Sequence, residues 1–201
     1  MFMLTTQELA GWFSRGARFE DYLAQARPHE RPGWEASYKR VQLSEPQRAL
    51  VAGFARRVNV LVLSGTWCGD CVQQCPMLAR IAAAGAVKPG DSAGRPGVDL
   101  RFLEREDNLE LADALRICGG RRVPTVVFLN EDFEFVSILG DRTLSRYRAL
   151  ASAQLGPSCP MPGAPLPPDQ HAASIADWLG EFERVALLLR LSPRLREKHG
   201  D

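Results

Sequence analysis

The chain has almost no excess charge of either sign: 25 Lys and Arg stand against 24 Asp and Glu in 201 residues. A surface that grips nucleic acid concentrates positive charge, so this balance argues against such a partner. The pairs Arg56-Arg57 and Arg121-Arg122 are too short to form a basic patch and read as solvated surface. Long apolar runs are missing as well. A membrane-spanning helix needs about 18 apolar residues, and the longest apolar cluster here is Val185 to Leu189. The opening Met1-Phe2-Met3-Leu4-Thr5 turns polar with no basic stretch before it and no apolar core of signal-peptide length. The expectation is a cytoplasmic protein with no membrane partner. Histidine is scarce, and His29, His171 and His199 are scattered. In a reducing compartment the five cysteines point to catalysis or metal binding rather than to structural staples.

Helical signals fill the first 57 residues. Thr5 and Glu8 have capping-box spacing ahead of Leu9, Trp12 and Phe13. Phe19 to Ala26 stops before Pro28, Trp34, Tyr38 and Val41 recur at helical spacing, and Ser44 with Pro46 opens a further helix. From Val58 the pattern changes. Val58 to Leu63 is a nearly continuous β-branched apolar run, the mark of a strand buried on both faces. A helix is expected from Cys68 to about Ala84, a strand from Val98 to Leu103, and a short helix from Asn108 through Arg116. Val126–Leu129 and Phe133–Leu139 flank Asn130-Glu131-Asp132 as a hairpin, and Thr143 opens a helix to about Ala153. Six prolines between Pro157 and Pro168 exclude helix or central strand from that loop. A last helix runs from Gln170 to Leu191, with Ile175, Trp178, Phe182, Val185 and Leu189 on one face. The order predicts an α/β fold, a mixed β-sheet flanked by helices with helical extensions at both ends. The divisions are an N-terminal helical extension at 1–57, an α/β domain at 58–155, a Pro-rich loop at 156–169, and a C-terminal helix and tail at 170–201.

The chemistry lies in Trp67-Cys68-Gly69-Asp70-Cys71, at the predicted strand-to-helix junction. Helix positions three apart bring side chains within about 5–6 Å, inside the Cα window of about 4.4–6.8 Å for a disulfide. Cys68 at the helix mouth faces unsatisfied N–H groups and the positive end of the macrodipole, which favour thiolate, the attacking species. Cys71, one turn deeper, is the resolving thiol. Gly69 allows close approach of a partner backbone. Asp70 suits the first helical turn, but its charge opposes a thiolate nearby, so the couple is expected to act as a reductant. Zinc is the rival reading, through the C-x2-C-x3-C of Cys68, Cys71 and Cys75. Seven helical residues rise about 10 Å, whereas sulfurs sharing one zinc lie within about 5 Å. No second cysteine pair supplies other ligands, so no metal is expected. Cys75 then reads as a small buried hydrophobe, Cys118 as a buried or loop thiol with an additional redox role as the alternative, and Cys159 as an exposed non-catalytic thiol.

Together with Pro76, Val123-Pro124-Thr125 and Gly140, the cysteine motif resembles the active-site signature of the thioredoxin-like family. The stretch Arg101 to Glu110 is similar to a bacterial subgroup with a WCGDC motif and an added N-terminal helical segment. The resemblance implies a thioredoxin-like fold and a cis bond before Pro124, placing the Val123 backbone beside the cysteines where an extended substrate could pair with it. Trp67 reads as a hydrophobic shield beside the dithiol, with a rim aromatic packing on the N-terminal layer as the alternative. The implied activity is reversible exchange between the Cys68/Cys71 dithiol and disulfides of proteins or small thiols. The redox-active disulfide is its own cofactor, and an external reductase supplies electrons. The alternative is a redox-responsive interaction module without turnover. Two positions depart from the family pattern: Val62 replaces its buried carboxylate and Ser64 a frequent tryptophan. The proton acceptor for Cys71 is left open among Asp70, Glu104, Glu106 and Asp107.

Overall fold

The computed structural model describes residues 4–86, 96–155 and 166–200, so Cys159 and most of the Pro-rich loop lie outside the described residues. Four helices come first: α1 (Thr6–Arg15), α2 (Phe19–Gln25), α3 (Arg31–Arg40) and α4 (Glu45–Ala52). Full capping boxes start α1, at Thr5 with Glu8, and α4, at Ser44 with Gln47. The α/β part follows as β1 (Arg57–Ser64), α5 (Gly69–Ala84), β2 (Gly97–Glu104), α6 (Leu109–Ala114), β3 (Thr125–Leu129), β4 (Phe135–Gly140) and α7 (Leu144–Leu155). The chain closes with α8 (Gln170–Leu191) and α9 (Pro193–His199).

The sheet order is β2-β1-β3-β4, with β1 parallel to β2 and antiparallel to β3, and with β3 antiparallel to β4. Seven of the eight residues of β1 and all of β3 are buried, as central strands covered on both faces must be. The outer edge of β2 is not left open: Ala17 pairs with Phe102 through both backbone hydrogen bonds, at 2.8 and 2.9 Å. Gly16 permits this approach, because a Cβ there would sit 2.6 Å from the Cβ of Arg101.

Differences from the expected elements have local causes. Asn108 does not cap α6; its amide donates to the Glu104 carbonyl instead, and the helix ends at Ala114 rather than Arg116. β4 starts at Phe135 because Asn130 Oδ1 accepts the backbone N–H groups of Asp132 and Glu134, while Phe133 takes a positive φ of 62°. The expected C-terminal tail holds α9, whose start is the Ser192 cap followed by Pro193.

The buried side chains of the N-terminal helices and of the α/β part form one continuous core. An aromatic cluster joins them. Tyr22 stacks on Phe102 at 5.3 Å and meets Trp34 edge-on at 5.8 Å, while Phe19 packs on Trp34, Tyr38 and Phe102. Each such pair contributes about 0.5–1.5 kcal/mol beyond its buried area. Trp34 has no exposed surface, and its indole N–H donates to the Thr66 carbonyl at 2.9 Å, in the loop between β1 and α5. Trp34→Phe keeps an aromatic ring but orphans that carbonyl. It is expected to lower stability by about 1–3 kcal/mol, read as a reduced urea midpoint at unchanged m-value; an unchanged midpoint would show that the contact carries no weight.

Candidate active site

The β1–α5 junction turns sharply at residues 65–68, with the Cys68 N–H donating to the Gly65 carbonyl at 3.0 Å. Gly65 is required because the Trp67 ring lies over it; an added Cβ would come within 2.8 Å of the indole. The turn leaves Cys68 at the N-cap of α5, half-buried, with Cys71 on the first turn and fully buried. Both are free thiols. Beside them Val123 precedes Pro124 across a cis peptide bond, and the Val123 carbonyl lies 3.7 Å from Cys68 Sγ. Gly140 lies behind this segment, where a Cβ would meet the Pro124 carbonyl at 3.0 Å. Around Gly69 there is open space: a Cβ would touch nothing within 4 Å.

A sequence profile of the family described as Thioredoxin matches residues 16–151. The chain belongs to the thioredoxin family. The structure of a Pseudomonas aeruginosa protein of unknown function is similar over 91% of this chain and 97% of its own, at 18% identity and a TM-score of 0.62. An HIV epitope-scaffold is similar over 88% of this chain and 92% of its own, at 19% identity and a TM-score of 0.53. Both likenesses concern the fold. No match was found among curated proteins. Family and sheet together bear out the α/β thioredoxin-like reading of the sequence.

Within this thioredoxin fold the expected residues come together: Trp67, Cys68, Gly69, Asp70 and Cys71 on the junction and first helical turn, with Val123 and Pro124 facing them across Cys68. Asp70 behaves differently from expectation. Arg142, just before α7, and Arg146, in its first turn, bind the two carboxylate oxygens of Asp70, the latter at 2.9 Å. The Asp70 charge is thus not the free one expected from the sequence, but is paired with two guanidinium groups. The largest influence on Cys68 acidity comes from the dithiol itself. Backbone N–H groups of Asp70 and Cys71 point at Cys68 and ease its ionisation, but the hydrogen bond shared with Cys71, and then desolvation, outweigh them and raise its pKa. Burial pushes the Cys71 thiol well above the ordinary range. Interacting thiols titrate as a pair, and both members of this one are raised above the ordinary cysteine range.

The other cysteines separate. Cys75 is fully buried, with its sulfur 3.5 Å from Ser64 Oγ. Cys118 is exposed in a tight turn at a positive φ of 48°, hence a loop thiol. Trp67 lies at the rim rather than as a closed shield: it is 48% exposed, under the Arg105 guanidinium, and its indole N–H donates to Glu104 Oε1 at 3.2 Å. Sequence reasoning missed Tyr22, Arg142 and Arg146 altogether.

The linkage sign follows from the raised thiols. A group whose pKa is higher in the folded than in the unfolded chain leaves stability constant below the unfolded value, about 8.5 for cysteine, and lowers it as pH climbs above that. The reduced protein is therefore expected to lose up to about 1.4 kcal/mol per pH unit there from a single retained proton. Thermal melts at rising pH check this: Cys71→Ser should flatten the decline, and identical slopes for the two proteins would contradict it.

Proposed function

We propose that the protein is a thiol–disulfide oxidoreductase that works mainly as a reductant on disulfides of proteins or small thiols. One observation carries this reading: a half-exposed sulfur at a helix mouth stands one turn above a fully buried partner sulfur. The Cys68 thiolate attacks one sulfur of the substrate disulfide, breaking that bond and releasing the first substrate thiolate. Cys71, as thiolate, then attacks the Cys68 sulfur; the intramolecular disulfide forms and the second substrate thiolate leaves. Two electrons pass from the protein dithiol to the substrate, and an external dithiol donor restores them.

The direction of transfer follows from acidity. Strong oxidants of this class owe their potential to a stabilised reduced form, chiefly a low-pKa thiolate. Here both thiols are held up, Cys68 by its Cys71 neighbour and desolvation and Cys71 by burial, which favours giving electrons away. The open space at Gly69 and the backbone of Val123 suit an extended disulfide-bearing segment better than a buried small molecule. Such a reductant suits the cytoplasm, where dithiol donors are kept reduced.

The test is reduction of insulin disulfides with dithiothreitol as donor. The wild-type protein is expected to accelerate the reaction, Cys68→Ser to fall to the uncatalysed rate, and Cys71→Ser to accumulate a mixed disulfide on Cys68 detectable by mass spectrometry. A wild-type rate equal to that of dithiothreitol alone would overturn the enzyme reading in favour of a redox-responsive binding module.

A further inference from the structure

Cys68 is flanked by Trp67 on its own loop and by the 121–124 segment, whose Val123 carbonyl lies 3.7 Å from Cys68 Sγ. Both flanks lie beyond the sheet ladder, since β1 ends at Ser64 and the paired residues of β3 begin at Thr125. The spacing between them therefore depends on side-chain contacts. An extended substrate segment bound at Cys68 has to fit that spacing.

Arg105 touches both flanks. It is the first residue past β2, and its backbone N–H donates to the Ser64 carbonyl at 2.7 Å, which seats it beside the end of β1. Its guanidinium lies over the Trp67 ring, 4.5 Å from the centroid. Nη1 donates to the Arg121 carbonyl at 3.0 Å. Nε, at 3.0 Å, and Nη2 both reach Glu106 Oε1, which fixes the orientation of the fork. One planar group thus gives its face to one flank and its edge to the other. Resting on the exchange reading above, we propose that Arg105 is a positioning residue that braces Trp67 against the 121–124 segment. It thereby sets the cleft for an extended, disulfide-bearing peptide.

Other anchors hold one flank each. Glu104 Oε1 accepts the Trp67 indole N–H at 3.2 Å and restrains the ring by its edge. On the far side, Thr125 Oγ1 donates to the Arg122 carbonyl at 2.8 Å, and the Arg122 side chain pairs with Asp141. Arg105 joins these two half-frames. The consequence depends on substrate size. An extended segment has to lie along the Val123 backbone and past Trp67 at once, so its binding needs both flanks already in place. A small disulfide reaches the half-exposed Cys68 sulfur without spanning them. Lysine at 105 would keep the charge but lose both the planar face and the fork. That substitution separates bracing from a simple effect of positive charge on the nearby thiolate.

The experiment compares a large and a small substrate. Full-length protein carrying Cys118→Ser and Cys159→Ser serves as parent, and Arg105→Ala and Arg105→Lys are made in it. Insulin reduction with dithiothreitol as donor gives KM and kcat for a protein disulfide. Stopped-flow reaction of the pre-reduced protein with uncharged dithiodipyridine gives the rate constant for a small one. Both variants are expected to raise the KM for insulin at least about fivefold, with kcat and the dithiodipyridine rate constant within about twofold of the parent. Trp67 is exposed while Trp12, Trp34 and Trp178 are buried, so acrylamide quenching of indole fluorescence should rise in both variants as the ring loosens. An insulin KM that stays at the parent value in Arg105→Ala would overturn the brace. A parent-like KM in Arg105→Lys would do the same in favour of a charge effect, and this variant carries the test if Arg105→Ala does not fold. Equal losses on both substrates would also overturn it, by placing the effect at the Cys68 sulfur. A parent protein that reacts with dithiodipyridine but does not accelerate insulin reduction would instead sink the exchange reading, and the brace with it.

Discussion

At the end of β2 the two oxygens of Glu104 gather donors from separate parts of the chain. Tyr22 Oη arrives from α2 at 2.7 Å, the Thr66 N–H from the β1–α5 loop at 3.0 Å, and the Trp67 indole N–H from the same loop at 3.2 Å. Hydrogen bonds to a charged group are each worth about 1.5–3 kcal/mol, more than neutral ones. Three converging on one carboxylate fix the loop that aims Cys68. Trp34 holds the same loop from the other side through the Thr66 carbonyl. The helix mouth is therefore positioned by contacts that the N-terminal helices supply, and the reactive geometry depends on those helices being docked.

This explains what the sequence disclosed and what it hid. Capping boxes at Thr5 and Ser44, the apolar run of β1 and the cysteine motif are encoded within a few residues of one another, so local rules read them. The α8 boundaries were legible for the same reason, since Asp169 caps its own helix and an apolar face repeats along it. Tyr22 and Glu104 are 82 residues apart, and nothing in the helical pattern around Tyr22 marks its hydroxyl as the partner of that carboxylate. Glu104 could be named only as one acid among several, because register against Ser64 is a property of the sheet. Asp70 was read as a free charge for want of Arg142 and Arg146, more than 70 residues downstream.

The arginine clamp on Asp70 also clarifies the division of labour around the dithiol. Arg142 bridges Asp70 to Asp141, which is itself held by Arg122 and by the Tyr147 hydroxyl. Gln74 of α5 reaches the Asp141 backbone carbonyl at 2.7 Å. This network ties the first two turns of α5 to the start of α7 and to the segment around Pro124. Every charge in it has an opposite partner, three guanidinium groups against two carboxylates, so it fixes the position of these segments. Positioning of the first helical turns therefore falls to this side of the helix.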